Sequence, residues 1–151
     1  MSIRALIRGM VIVLLCQTAV AGAALSQERS SREEAKAMAE KAAAYFHEHG
    51  AEAAFEAYNN SDEFKDGDLY VVVEDLEGNM MAHGTSPALV GRNVLDLRDP
   101  TGKLFNHEFV AVEDRDWITY QWKNPVTNAV EDKATYIINV GDYVIGVGVY
   151  E

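Results

Sequence analysis

The side chains able to do chemistry are few, and their spacing is informative. Of the four histidines, His47 and His49 stand two apart on a helical stretch and point in different directions, which argues for a solvated helix end rather than a shared metal. His107-Glu108 resembles half of a zinc-helix motif, but Ala111 stands where the second histidine belongs. Gly84-Thr85-Ser86-Pro87-Ala88 departs from a nucleophile elbow at Ala88, where glycine is required. Asp62 to Gly67 has an acid and a glycine at calcium-loop offsets, yet Phe64 and Lys65 take the places of oxygen ligands. Gly146-Val147-Gly148 ends the chain and opens no helix, so it cannot cradle a dinucleotide. These motifs support neither an enzyme nor a cofactor.

What remains is aromatic and hydrogen-bonding residues on strand-like segments. Alternation puts Ile118, Tyr120 and Trp122 on one face of their strand and Trp117 and Thr119 on the other. The next strand divides into Lys133, Thr135 and Ile137 against Ala134, Tyr136 and Ile138. In a chain with few cations, Lys133 or Arg92 beside tyrosine hydroxyls would make a local site for a small carboxylate. Arg92 has a structural reading too, with Asn93, as a pin for its connection through backbone bonds.

Other elements must position these groups. Ser30 and Ser31 stand three residues before Glu33 and Glu34, a capping-box pattern, and Ala35, Ala39, Ala42 and Phe46 recur at helical spacing. This predicts a helix over about 31–48, then a second short helix that Asn59-Asn60 ends. From Asp68 the period changes to that of strands: 69–73 and 80–83 around the turn Glu77-Gly78-Asn79, then 117–122, 130–140 and 143–150. Gly141-Asp142 is a Gly-first hairpin loop. Between the two strand groups, 85–99 reads as an irregular connection, and Asp99-Pro100-Thr101-Gly102 as the start of a helix reaching Glu113. Sequential hairpins with helices kept to one side make an α+β layer architecture.

Length and charge bound the rest. The 151 residues suit one domain plus a short appendage. Residues 1–23 hold two arginines and no acid, which leaves 11 basic against 24 acidic residues and a net charge of −13. A body that acidic argues against nucleic acid and anionic lipid as partners. Its cationic start, apolar Met10 to Leu15 and two Ala-x-Ala sites make 1–23 a secretory signal peptide, with 24–31 a short linker and 32–151 the domain. The expected location is the periplasm or exterior, with no membrane span after cleavage. The only cysteine, Cys16, leaves with the signal, which removes thiol catalysis and cysteine-ligated metals.

Several blocks taken together resemble a known family. Asp66-Gly67-Asp68-Leu69-Tyr70-Val71, Gly78-Asn79-Met80-Met81-Ala82-His83 and Pro87-Ala88-Leu89-Val90-Gly91-Arg92-Asn93 occur in the same order as in the single Cache domains of bacterial extracytoplasmic sensors. Asp99-Pro100-Thr101-Gly102-Lys103, Trp117 to Trp122, Asn124 to Thr127, Lys133 to Tyr136 and Gly146 to Tyr150 continue the likeness. The resemblance implies a PAS-like five-stranded antiparallel sheet with a long N-terminal helix packed across one face. The other face, closed by the connection after His83, would hold a small-molecule pocket for a small organic acid or related metabolite. Family members usually continue into a transmembrane helix and an output domain. With the sequence stopping at Glu151, the expectation is a stand-alone secreted form whose signal passes through a membrane receptor or kinase. The pocket would draw on Tyr70, His83, Arg92, Trp117, Tyr120, Trp122, Lys133 and Tyr136, a set mixing both strand faces because parity does not say which face is the pocket. The competing reading is an interaction or structural subunit whose pocket is filled by its own side chains.

Overall fold

The computed structural model of the protein describes residues 29–151. The signal-peptide segment, Cys16 and most of the 24–31 linker lie outside the described residues. Helix α1 (Arg32–His49) starts as its sequence predicts: Ser31 Oγ accepts from the Glu34 N–H at 3.2 Å, and the Ser31 N–H donates to Glu34 Oε2 at 2.7 Å. Gly50, at φ 83°, turns the chain into helix α2 (Ala51–Asn60). Ala35, Ala39, Ala42 and Ala43 form the buried stripe of α1, and their small side chains let its axis lie close to the sheet.

The sheet comprises β1 (Lys65–Asp66), β2 (Leu69–Asp75), β3 (Met80–His83), β4 (Arg115–Lys123), β5 (Val130–Asn139) and β6 (Tyr143–Tyr150). All pairings are antiparallel, in the order β1-β2-β6-β5-β4, with β3 also on β2. The five strands anticipated from alternation are present, and the two-residue β1 joins them at an edge. Gly141, at φ 98°, opens the loop between β5 and β6.

Each strand is divided by its pleat. Leu69, Val71, Val73, Ala134, Tyr136, Ile138, Ile145 and Val147 face the helices and form the larger core with α1 and α2. On the opposite face, Ile118, Tyr120, Ile137 and Val144 form a second core with Phe105, Phe109 and Val112 of a covering segment.

That segment corrects one expectation. Helix α3 spans only Phe105–Val110, instead of starting at Asp99. Asp99 Oδ1 accepts from the Thr101 N–H (2.8 Å), the Thr101 hydroxyl (2.6 Å) and the Lys103 N–H (2.9 Å), while Oδ2 accepts from the Gln121 N–H of β4 (2.9 Å). The carboxylate thus closes a turn and ties it to the sheet, and Gly102 at φ 90° breaks helical geometry. Burial pushes the Asp99 carboxyl up, but these four bonds outweigh it and hold it at about 2.

Candidate functional site

The face away from α1 gathers a donor-rich cluster. Lys133 on β5 is 2% exposed. Its Nζ donates to the Tyr70 hydroxyl at 2.6 Å and the Tyr150 hydroxyl at 3.3 Å, and lies 4.0 and 4.6 Å from the centroids of those two rings. The Tyr150 hydroxyl donates to the Lys123 carbonyl at 2.9 Å. Tyr150 has one proton to give, so Tyr70 is the donor in the 3.1 Å bond between the two hydroxyls. Among the described residues no carboxylate lies within 4.0 Å of the ammonium. A buried cation held only by neutral dipoles is a strong attractor for an anion.

Glycine makes this reach possible. Lys133 on β5 must cross β6 to meet Tyr70 on β2, and its stem passes over Gly148. A Cβ built on Gly148 would overlap Lys133 Cε and Thr135 Oγ1, and one on Gly146 would come within 2.7 Å of Ile137 Cδ1 and 2.9 Å of Thr135 Cγ2. Gly148→Ala is therefore expected to destabilise the domain by about 1–3 kcal/mol, the usual range for overpacking. Chemical denaturation checks it, and an unchanged midpoint would show that the lysine stem can yield.

His83, at the end of β3, stacks on Tyr70 with centroids 5.1 Å apart and an interplanar angle of 29°. Its Nδ1 accepts from the Thr85 and Ser86 N–H groups at 3.3 and 3.0 Å, which assigns the ring proton to Nε2. Burial, with the Lys133 charge adding to it, lowers the imidazole to about 3. It is therefore neutral and a hydrogen-bond donor at physiological pH. Tyr120 on β4 stacks on Phe105 (4.1 Å, 5°), and its hydroxyl lies 3.1 Å from Thr135 Oγ1.

Tyr70, His83, Phe105 and Tyr120 border a partly open cavity of about 20 Å³, room for one water, and Lys133 and Tyr150 stand outside its walls. Tyr70, Glu74, His83, Phe105, Tyr120 and Trp122 are among its walls. A solvent-open groove of about 490 Å³ reaches Lys133 and Tyr120 from the side of Asp99 and Asp132. Any organic ligand needs more room than this cavity offers, so the covering segment or its Leu89 and Leu97 side chains must move to admit one.

Of the eight residues anticipated, Tyr70, His83, Tyr120, Trp122 and Lys133 come together on this face. Trp117 and Tyr136 do not: they pair at 5.0 Å on the α1 face, where Arg32 lies 5.0 Å from the Trp117 ring centroid. Arg92 also stands apart, its side chain exposed while its carbonyl accepts from the Met80 N–H at 2.9 Å and its N–H donates to Leu89. With Asn93 Nδ2 donating to the Glu77 carbonyl and Asn79 Oδ1, this residue pair pins the connection through its backbone and amide, as the second reading of Arg92 anticipated.

Two residues of the cluster escaped the sequence reading. Tyr150 shares a face with Gly146 and Gly148 by simple alternation, a signal that was available. Glu74 follows Tyr70 and Val72 on one face of β2 and ends in the cavity wall. It is 1% exposed, and among the described residues neither carboxyl oxygen has a hydrogen-bond partner. Burial, then the nearby Asp75 charge, raises it to about 8. Among the described residues no cluster of histidine, cysteine and acids could hold a metal.

An antiparallel sheet with helices on one face and a covered, mostly apolar cavity on the other is a PAS-like arrangement. The model of the family described as Single Cache domain 2 matches residues 23–151, and the chain belongs to that family. A curated relative, the sensor histidine kinase MctS of Rhizobium johnstonii, is 33% identical over 90 residues, 57% of this chain. The match spans about a fifth (19%) of that protein's length. Among solved structures, a methyl-accepting chemotaxis protein from Vibrio parahaemolyticus superposes with a TM-score of 0.69 at 23% identity, covering 78% of this chain and 86% of that one. A periplasmic sensor domain of a chemotaxis protein gives a TM-score of 0.62 at 29% identity, with 78% and 88% covered. A Cache chemosensory domain described for its carboxylic acid recognition gives 0.61 at 21%, with 78% and 86% covered, which is a likeness of fold. The matched proteins are sensors of chemotaxis and kinase type, and no helix among the described residues is long and apolar enough to cross a membrane.

Proposed function

We propose that this Cache domain is a non-enzymatic extracytoplasmic sensor for a small carboxylate, and that it acts through a membrane receptor or kinase. The observation that carries this reading is Lys133: a buried ammonium on the sheet face away from α1, supported by tyrosine hydroxyls and, among the described residues, with no carboxylate within 4.0 Å. A ligand carboxylate would accept from Lys133 Nζ and the Tyr120 hydroxyl, with His83 Nε2–H a further donor, while the Tyr70 and Tyr150 protons stay in the chain that ends on the Lys123 carbonyl. Charge-assisted bonds of this kind are about twice as strong as neutral ones, and the apolar surroundings strengthen them further. Trp122 and Phe105 would bound the ligand's size. A structural neighbour that recognises carboxylic acids is consistent with this chemistry.

Thermal-shift screening of the purified domain with short organic acids tests the proposal. A ligand at 100 times its Kd adds about 2.7 kcal/mol, a rise in Tm on the order of 10 °C. Arg92→Ala should leave that shift unchanged, because the side chain is exposed. A flat response across acids of two to five carbons would favour a subunit without a ligand of its own.

A further inference from the structure

We infer that Glu74 is a specificity-determining residue, selecting small acids that carry a second polar group at the end remote from their carboxylate. The inference rests on the carboxylate-sensing reading and deepens it. Glu74 sits four residues along β2 from Tyr70, on the same face, so the two ends of the cavity differ in chemistry. One end has Tyr70 and His83 in its wall, with the Lys133 ammonium, not itself a wall residue, donating to the Tyr70 hydroxyl at 2.6 Å. The other holds a single carboxyl group whose two oxygens are buried and, among the described residues, unpartnered, with Val72 and Met80 among its neighbours in the wall.

A buried carboxyl group without partners is costly, and an apolar residue of similar volume would fill the same space more stably. What glutamate adds there is hydrogen-bonding capacity directed into the cavity. Held mostly protonated at neutral pH by its burial, Glu74 can both donate and accept. A plain alkyl acid lying against it would leave both capacities unused. A hydroxyl at the ligand's far end would satisfy them, and sites that leave buried polar groups unpaired against the wrong ligand discriminate strongly. Tyr70, Tyr120 and Glu74 line the same cavity, so a ligand held at Tyr70 lies in a volume that Glu74 also borders.

The test compares matched pairs by titration calorimetry: propanoate with 3-hydroxypropanoate, butanoate with 4-hydroxybutanoate, and pentanoate with 5-hydroxypentanoate. The expected result is a preference of at least tenfold for the hydroxy acid in one or more pairs. Glu74→Gln, which keeps donor and acceptor, should retain the preference, and Glu74→Met should erase or invert it. Equal binding within all three pairs, or a preference that survives in Glu74→Met, overturns this inference while the carboxylate reading stands. Absence of binding by every acid to the wild-type protein overturns both.

Discussion

Glu74→Gln is expected to stabilise the domain by about 3 kcal/mol at pH 7 and to change the shape of its pH profile. The carboxyl titrates near 4.5 in the unfolded chain and at about 8 in the folded one, so the folded state holds the proton more tightly. Its contribution is fully present below pH 4.5 and is lost as pH rises toward 8. Each unit of that interval is worth about 1.4 kcal/mol. His83 works in the opposite direction, from an ordinary value of 6.5 to about 3 when folded, so stability is lost as pH falls from 6.5 toward 3. Between pH 4.5 and 6.5 the two slopes cancel, giving a plateau, with a decline above it from Glu74 and below it from His83. The depressed Asp99 adds to the acid limb only between about 4 and 2. Urea denaturation of wild type and Glu74→Gln at pH 5 and pH 8 checks this. Parallel stabilities at both pH values would mean that the carboxylate finds solvation when it ionises.

Lys133→Met is expected to separate binding from folding, moving them in opposite directions. Methionine keeps most of the stem volume over Gly148 and removes the ammonium. The Tyr70 and Tyr150 hydroxyls remain bonded to each other and to the Lys123 carbonyl, so the substitution strands no buried donor. Replacing a buried charge by a well-packed apolar side chain is commonly neutral or stabilising by about 1–4 kcal/mol. Affinity for a carboxylate should instead fall by roughly 30-fold to several thousand-fold, the effect of removing one partner of a desolvated charge pair. Calorimetric affinity and denaturation midpoint, measured on the same preparation, decide the matter. A destabilised variant with unchanged affinity would make Lys133 a structural residue.

Much of the scaffold was legible because its signals are local. The Ser31 to Glu34 capping box, the alanine stripe of α1, the Glu77-Gly78-Asn79 turn and the Gly141-Asp142 loop each join residues a few positions apart, and each appears where expected. Asp99 shows where local reasoning fails. Its turn chemistry was visible, but its bond to the Gln121 N–H, 22 residues on, was not, and that bond makes it a tie to the sheet instead of a helix cap.

The site divided along the same line. Strand alternation correctly paired Tyr120 with Trp122, Lys133 with Thr135, and Trp117 against both, because the pleat is a property of the backbone. Parity is symmetric, however, and only the docking of α1 decided that Trp117 and Tyr136 face helix while Lys133 lies on the opposite face against Tyr70 and Tyr150. Local order by itself therefore determined most of the elements, the parity of each strand and the family resemblance. The tertiary structure alone decided that Lys133 is caged by Tyr70, 63 positions away, that Arg92 points to solvent, and that Glu74 is buried with no partner among the described residues. Those outcomes depend on which distant side chains share a desolvated volume, and no short-range pattern encodes that.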